Sequence, residues 1–249
     1  MALPAHLLEH FPARIRPGES GGTDEPKVLP LGIDELDSLL PGGGLPRGGV
    51  VELSVAGGVA LATSVALAAC RAAGEAARAA GGDVPWCAFV DPSQTLHGPG
   101  VQGAQVNLER LLVVRPSVEA LGRTAIRLVE SQAFSVVVVD TVGVPGAALD
   151  VALSAWPRVV RRLAMAAGEG GTTVLLITDT EAHRPLPLPV ALRLELQRPG
   201  ADRLSVQIAK ERRGRISHPR TINWAKPRAK VLPHRPLAPV APISPAVSS

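Results

Sequence analysis

Residues 30–63 read PLGIDELDSLLPGGGLPRGGVVELSVAGGVALAT, and this stretch decides the fold. It opens with a short amphipathic segment, Gly32–Leu40, that a proline and a glycine run bring to an end. The apolar segment Gly49–Val55 has the length and composition of a buried strand. Ala62–Ala80 is rich in alanine and ends in two glycines, a common signal for a helix C-terminus. A strand, a glycine-containing loop and a helix in succession predict an α/β domain.

The same alternation of strands and helices continues along the chain. We predict strands at Trp86–Asp91, Leu111–Arg115, Phe134–Asp140 and Thr172–Asp179, and helices at Val118–Gln132 and Leu153–Ala167. The four valines Val136–Val139 are typical of a strand that is buried on both faces of a parallel sheet. Apolar and polar residues then alternate in Ala191–Leu196 and Leu204–Lys210, which predicts a hairpin. The expected fold is a mostly parallel sheet with helices on both faces and a C-terminal antiparallel edge hairpin.

Composition limits the kind of protein and divides its charge. The chain has 249 residues, of which 46% are hydrophobic and 2% aromatic, so its core must be aliphatic. Its two cysteines, Cys70 and Cys87, lie in apolar segments and are interpreted as small buried side chains. From Lys210 onward there are nine lysines and arginines and one acid, whereas residues 1–209 carry a net charge of −4. A basic C-terminal region is therefore attached to a mildly acidic body.

We divide the chain into three parts. Residues 1–26 are expected to be a flexible lead, residues 27–215 the folded core, and residues 216–249 a basic, proline-rich, disordered tail. The N-terminus lacks the features of a signal peptide, and no apolar run approaches the roughly 18 residues of a membrane span. We expect a cytoplasmic protein with no membrane association.

The turn before the first long strand resembles a known family. Gly43–Pro46, Gly48 and Glu52 match the stretch that leads into the Walker A loop of RecA-family ATPases. In that family the loop is G-x-x-x-x-G-K-[ST]: its backbone N–H groups and lysine hold the phosphates, and its hydroxyl holds Mg²⁺. The resemblance implies a RecA-like core over roughly Val28–Gly214.

Continued without a gap, the resemblance puts unsuitable residues at each functional position of the loop. The two glycines fall on Val55 and Ala60, the lysine on Leu61 and the metal-binding hydroxyl on Ala62, with Thr63 one place late. A charge-assisted hydrogen bond contributes about 1.5–3 kcal/mol, so losing two or three lowers phosphate affinity by several orders of magnitude. We expect no ATP hydrolysis, no cofactor, no bound metal and no catalytic residue.

Other positions of the family's ATP site lead to the same expectation. The glutamate that activates water falls on Ser93, which cannot act as a general base. The ring that stacks on adenine falls at about Gly100, and the sensor glutamine expected near Thr180 is absent. Asp140 matches the Walker B aspartate, and we interpret it as an inherited residue that makes a structural hydrogen bond.

Within the RecA superfamily the chain resembles ImuA, whose members are also described as SulA-like. The features that carry this resemblance are the eroded loop, Asn107–Pro116 and the basic segment Lys210–Gly214. The resemblance implies a non-catalytic accessory factor of SOS-induced translesion synthesis, a mutagenic form of DNA repair. It implies ImuB and RecA as partners, an error-prone DNA polymerase III alpha-type subunit as an indirect one, and association with the nucleoid during repair.

We assign DNA contact to the basic C-terminal region. It offers phosphate contacts that do not depend on base sequence, from Lys210, Arg212, Arg213, Arg215 and Arg220, with Trp224 nearby. We expect weak, salt-sensitive DNA binding that largely disappears when residues 210–249 are deleted. The alternative for this region is a solubilising tail.

Two other functions stay open. A divergent ATPase would bind nucleotide through Gly57, Gly58, Thr63 and Asp140, and titration with ATP and Mg²⁺ separates it from a binding protein. A SulA-like cell-division inhibitor would bind a tubulin-like division protein, and the sequence carries no feature specific for that activity.

Overall fold

The computed structural model describes residues 28–56, 61–143, 149–181 and 188–224. Its strands, in chain order, are β1 Val28–Leu29, β2 Leu45–Pro46, β3 Gly49–Val55, β4 Trp86–Val90, β5 Leu111–Val114, β6 Phe134–Asp140, β7 Thr173–Asp179, β8 Leu192–Gly200, β9 Arg203–Glu211 and β10 Arg220–Asn223. Its α-helices are α1 Asp34–Asp37, α2 Ala62–Ala79, α3 Gly98–Gly103, α4 Val118–Glu130 and α5 Trp156–Gly170. Short 3-10 helices lie at Pro41–Gly43, Leu108–Arg110 and Leu153–Ala155.

The main sheet of the described residues has eight strands in the order β10-β9-β8-β3-β7-β6-β4-β5. The strands from β8 to β5 in this order run parallel to one another, and β9 and β10 are antiparallel additions beside β8. The predicted α/β class, with a mostly parallel sheet and antiparallel strands at one edge, is confirmed. β1 and β2 form a separate antiparallel pair.

Helices cover both faces of the sheet, and each face has its own aliphatic core. Successive side chains of a strand point to opposite faces. Val51, Leu53 and Val55 of β3 therefore lie in the cluster with α2, whereas Val50 lies in the cluster with α4 and α5. The valines of β6 are fully buried on both faces, as their run in the sequence predicts.

The predicted helix over Gly32–Leu40 is much shorter in the structure. The Asp37 carboxylate accepts hydrogen bonds from the backbone N–H groups of Leu31 at 2.8 Å, Gly32 at 2.9 Å and Ile33 at 3.2 Å. These bonds wrap the preceding chain around a single helical turn, α1, and Pro41 then begins a 3-10 helix. These hydrogen bonds to Asp37 hold the backbone before residue 34 outside the helix, so α1 is shorter than the apolar pattern predicts.

The folded core extends beyond the predicted boundary at residue 215. β10 pairs with β9 in a regular antiparallel register, and the side chains of Ile222 and Trp224 are buried. The predicted β8–β9 hairpin therefore does not form the edge of the sheet, because β10 covers it. The basic residues and prolines after residue 215 predict a disordered tail. That prediction overlooks Ile222 and Trp224, whose buried side chains anchor β10. The predicted lead, residues 1–26, and residues 225–249 lie outside the described residues.

Both cysteines are free and buried, as predicted. The Cys87 thiol lies 3.8 Å from the backbone oxygen of Cys70. Two effects raise the pKa of the Cys70 thiol: contact with the Cys87 side chain is the larger, and burial is the second. The thiol is therefore protonated near neutral pH. No helix in the described part of the chain combines the length and the apolar character needed to cross a bilayer.

Candidate functional site

Two ends of the sheet carry the residues that sequence analysis selects. The carboxyl ends of β3, β7, β6 and β4 lie side by side, and in α/β proteins ligands bind at this end of the strands. The amino ends of β3 and β8 meet the last residue of β9 at the opposite end of the sheet. The described residues of the predicted degenerate nucleotide site lie at the first end, and three of the predicted DNA-binding arginines lie at the second.

At the carboxyl end of β3 the described positions of the loop are apolar and buried. The side chains of Leu61 and Ala62 are 8% and 2% exposed, and both lie with Val55 in the cluster that packs around α2. Thr63, in the first turn of α2, is half-buried. Ala60, together with Gly57 and Gly58, lies outside the described residues. Where a phosphate loop would present a lysine and a hydroxyl, this chain presents aliphatic side chains to its own core.

Asp140 closes the turn that follows β6. Its Oδ1 accepts hydrogen bonds from the backbone N–H groups of Val142 and Gly143, each at 2.9 Å. Burial raises the pKa of this carboxyl group; the two N–H donors oppose the shift, and the nearby charge of Asp91 adds to it. Asp140 thus makes two hydrogen bonds that hold this turn together.

Asp91, which sequence analysis does not select, is the most buried carboxylate at this edge. It is fully buried, and its Oδ1 accepts hydrogen bonds from Ser93 Oγ at 2.9 Å and Thr95 N at 3.1 Å. Its Oδ2 accepts one from Leu96 N at 2.9 Å and lies 4.0 Å from Arg115 Nε. Ser93, at the position of the water-activating glutamate, therefore orders a turn. The Asp-Pro-Ser triplet after a strand, a common turn signal, marks Asp91 in the sequence.

Asp91 and Asp140 are not part of a larger cluster of metal ligands. In the described ranges, no three acidic, histidine or cysteine residues come together as a metal site would require.

Thr180, at the predicted sensor position, joins β7 to β3. Its N–H and Oγ1 both donate to the Val55 carbonyl, at 2.8 and 3.1 Å. Gly100 is an exposed residue of α3.

A buried polar group ties the middle of the sheet together. Thr178 Oγ1 donates to Glu52 Oε1 at 2.8 Å, and Arg193 Nε lies 3.8 Å from Glu52 Oε2. Glu52 is fully buried and bridges β7 and β8 from its place on β3. A buried carboxylate is tolerated only when it is paired in this way, so the family residue Glu52 serves the sheet.

At the amino end, four arginines line one cavity. Arg47 precedes β3, and Arg212, Arg213 and Arg215 follow β9; together they border a space of about 340 Å³. Sequence analysis selects the last three and misses Arg47, which no local motif marks. The sheet register brings it to them, because β3 and β8 are parallel and β9 is antiparallel to β8.

The other two predicted DNA-binding residues do not line this cavity. Lys210, the penultimate residue of β9, donates from Nζ to the Leu188 carbonyl at 2.8 Å. Arg220 begins β10 and is exposed. Trp224 is 6% exposed, so its ring lies in the core and presents no surface to a base. Within the described part of the basic region, residues 210–224, the segment 212–215 lines the cavity.

No protein-family model matches the chain. The chain is similar to protein RecA of Acidothermus cellulolyticus, with 31% identity over 196 residues, covering 69% of this chain and 54% of that protein. It is also similar to protein RecA of Blastochloris viridis, with 35% identity over 142 residues, covering 55% of this chain and 38% of that protein.

A third similar protein is a mitochondrial DNA repair protein, a recA homologue of Dictyostelium discoideum, with 32% identity over 132 residues that cover 50% of this chain and 26% of that protein. The chain thus spans about half or less of the length of the curated relatives it matches. The fold and these partial matches make the chain a distant homologue of RecA proteins and support its place in the RecA superfamily.

Proposed function

We propose that this protein is a non-catalytic, RecA-like accessory factor of SOS-induced translesion DNA synthesis. In this proposal it acts through protein–protein contacts with ImuB and with RecA. The error-prone DNA polymerase III alpha-type subunit is an indirect partner, and the basic region contributes weak DNA binding. The protein works in the cytoplasm and joins the nucleoid during repair.

One observation carries the non-catalytic part of the proposal. The positions of the phosphate-binding lysine and the metal-binding hydroxyl hold Leu61 and Ala62, which are buried in an apolar cluster. A phosphate placed beside them would lose water without gaining a charged partner, which is strongly unfavourable. Ser93 and Asp140, the remaining positions, are engaged in turns of the chain itself. Similarity to RecA proteins, and to a relative named for DNA repair, supports the repair context.

Calorimetric titration with ATP and Mg²⁺ tests the absence of nucleotide chemistry. We expect no heat of binding from the full chain at concentrations where a RecA protein, run as the positive control, is saturated. The divergent ATPase that uses Thr63 and Asp140 predicts an affinity in the micromolar range. Binding of that strength, with release of phosphate, would establish the ATPase and contradict the proposal.

Affinity capture from DNA-damaged cells tests the partners. The tagged full chain should recover ImuB and RecA after damage and much less of either from undamaged cultures. Recovery of a tubulin-like division protein instead would favour the cell-division inhibitor. Good recovery of the bait with neither ImuB nor RecA would contradict the proposed partners.

The DNA-binding part needs a test that leaves the sheet intact. Deleting residues 210–249 would remove β10 and the buried Trp224, so loss of binding could result from unfolding. In the full chain, the triple variant Arg212→Gln, Arg213→Gln, Arg215→Gln removes three of these charges without touching the core. We expect it to lose most of its affinity for single-stranded DNA at low salt, and the salt slope to fall by about 2.

The matched control removes three exposed arginines from α4 and α5: Arg123→Gln, Arg158→Gln and Arg161→Gln. Its net charge equals that of the test variant. We expect it to keep most of the wild-type affinity. Equal losses in the two triple variants would indicate a general charge effect and would contradict a local DNA site.

A further inference from the structure

We propose that the cavity at the amino end of β3 is a phosphate-binding site for the backbone of single-stranded DNA, with Arg47 as one of its ligands. This inference rests on the DNA binding proposed above and assigns it a defined site. That site lies at the end of the sheet opposite to the eroded nucleotide loop.

Three segments distant in sequence build the cavity. The Ala191 N–H donates to the Val50 carbonyl at 2.9 Å, and the Arg212 N–H donates to the Ala191 carbonyl at 3.0 Å. These bonds place the segments that lead into β3 and β8 beside the segment that leaves β9. Gly48, with φ of +66°, supplies the left-handed turn between Arg47 and β3. The sheet register therefore fixes the backbone on which the four arginines stand.

The cavity carries an excess of positive charge. Within the described residues, the guanidinium groups of the four lining arginines make no hydrogen bond or ion pair. The single acid that lines the cavity, Glu211, uses its Oε2 to accept the backbone N–H groups of Arg213 at 2.9 Å and Arg215 at 3.3 Å. Four cations face one carboxylate that is already engaged, so the space is suited to an anion.

Arg47 supplies a second, independent observation. Its Nε is completely buried and has no hydrogen-bond partner in the described residues. A buried donor without an acceptor is rare in folded proteins and costs about 1–3 kcal/mol. Arg47 also lines the cavity, so an anion there that drew the guanidinium group outward would provide the missing acceptor. The free protein thus carries the energetic cost of an unpaired Nε donor, and a bound anion would remove that cost.

The chemistry favours phosphate on a polymer. The planar fork of arginine matches two oxygens of a phosphate, and four such forks exceed the needs of a single carboxylate. Arg212, Arg213 and Arg215 are exposed and follow one another along a short segment beside Arg47, a spaced series of cations that suits a repeating polyanion. A cavity of about 340 Å³ is at the lower end of the range for ligand pockets. A flexible single strand can bend one phosphate into it, whereas the stiff backbone of a duplex cannot.

The decisive variant is Arg47→Gln in the full chain, because it leaves the entire basic C-terminal region in place. Binding is measured by fluorescence anisotropy with labelled oligothymidylate over a series of salt concentrations. We expect affinity at low salt to fall by about tenfold or more. The slope of log affinity against log salt should decrease by about 0.7, the value for one phosphate contact with a single strand. Arg47→Lys, which keeps the charge but not the fork, should recover part of the loss.

Arg123→Gln is the matched control, since it removes one exposed arginine from α4 and changes the net charge equally. Thermal melting of each variant establishes that it is folded. Arg47→Gln with wild-type affinity and slope would overturn the cavity assignment; if the triple arginine variant still fails to bind, the proposed DNA binding stands. A wild-type chain that binds no oligothymidylate at low salt would overturn both. Preferential binding of polyglutamate over oligothymidylate would assign the cavity to an acidic protein and overturn the inference.

Discussion

The two ends of the central sheet differ in how they use charge. At the carboxyl end, Leu61 and Ala62 fill the position of a phosphate ligand and a metal ligand, and the carboxylates of Asp91 and Asp140 are satisfied by backbone N–H groups. At the amino end, four guanidinium groups line a cavity, and none of them has an acidic partner among the described residues; the buried Nε of Arg47 has no acceptor there either. Hydrogen bonds within the chain engage the carboxylates of the first end, whereas at the second end the side chains of three exposed arginines and the buried Nε of Arg47 have no partner within the described residues.

The two ends of the sheet thus differ in polarity although they belong to the same scaffold. The parallel strands, their order and the helix after the loop are those of an α/β nucleotide-binding domain, and Glu52 still pairs across three strands. The sheet depends on burial and on backbone hydrogen bonds, neither of which requires a phosphate. A set of arginines at the opposite edge is therefore compatible with the same architecture.

The largest effect is expected where β10 closes the carboxyl end. Trp224 is buried in the same cluster as Leu61, and its N–H donates to the Asp202 carbonyl at 2.8 Å. Trp224→Ala should lower the free energy of unfolding by about 3–5 kcal/mol, as measured by urea denaturation. Ile216→Ala, at a side chain that is 77% exposed, should change it by less than about 0.5 kcal/mol. Equal, small effects would show that β10 is not part of the core.

Leu61→Lys tests whether the carboxyl end has become apolar. The new ammonium group would enter an aliphatic cluster without a counter-charge, so we expect a loss of about 2–4 kcal/mol in urea denaturation. Leu61→Met, which conserves volume, should cost less than about 1.5 kcal/mol. A stable Leu61→Lys protein that gains affinity for ATP in calorimetry would break the comparison, because the phosphate cradle would then be intact.

Asp140→Asn tests the buried carboxylate through pH. The pKa of Asp140 is raised by burial, so between the ordinary aspartate pKa of about 4 and the raised value the folded state binds more protons than the unfolded state. Wild-type stability therefore falls as pH rises through this window. The stability of Asp140→Asn relative to wild type should increase from about pH 4 toward neutrality, as followed by chemical denaturation.

Asp150→Asn removes the same charge at an exposed aspartate and is the control for this experiment. Its stability relative to wild type should show a weaker dependence on pH. A constant difference between Asp140→Asn and wild type over the whole range would mean that the carboxylate is solvated, contrary to its burial in the structure.

The smallest effect, opposite in sign to the losses at Trp224 and Leu61, is expected at the amino end. Arg213→Gln removes one of four like charges that have no acidic partner among the described residues, so we expect stability to rise by about 0.5 kcal/mol at low salt. The gain should disappear at high salt, where the charges are screened. A loss of stability in thermal melting would indicate that the arginine has a structural partner, and the two ends would then be alike.

Sequence reasoning succeeds where burial dominates. β3 and β6 begin and end at the predicted residues, because strands buried on both faces appear as mostly apolar runs. It fails at β10, where one apolar residue, Ile222, lies among polar ones and the pairing with β9 supplies the rest of the stabilisation. It also overextends α1, because the bonds of Asp37 to the preceding backbone cannot be inferred from periodicity.

The candidate sites show the same division. The degenerate loop positions follow from a gapless register, since the residues of a loop are adjacent in sequence. Arg47 could not be found in that way, because only the pairing of β3, β8 and β9 brings it to Arg212. A buried donor without an acceptor is likewise a property of the folded chain alone.

The link between α1 and β10 has a kinetic consequence. The Asn223 N–H donates to the Glu35 carboxylate at 2.8 Å, across 188 positions of sequence, so the two ends of the described core are neighbours. Such a contact closes a very long loop and contributes to a high contact order, which slows folding. A circular permutant that joins these ends through a short linker and opens the chain at an exposed turn would make the contact local. It should fold faster than the natural order of elements while retaining the same sheet.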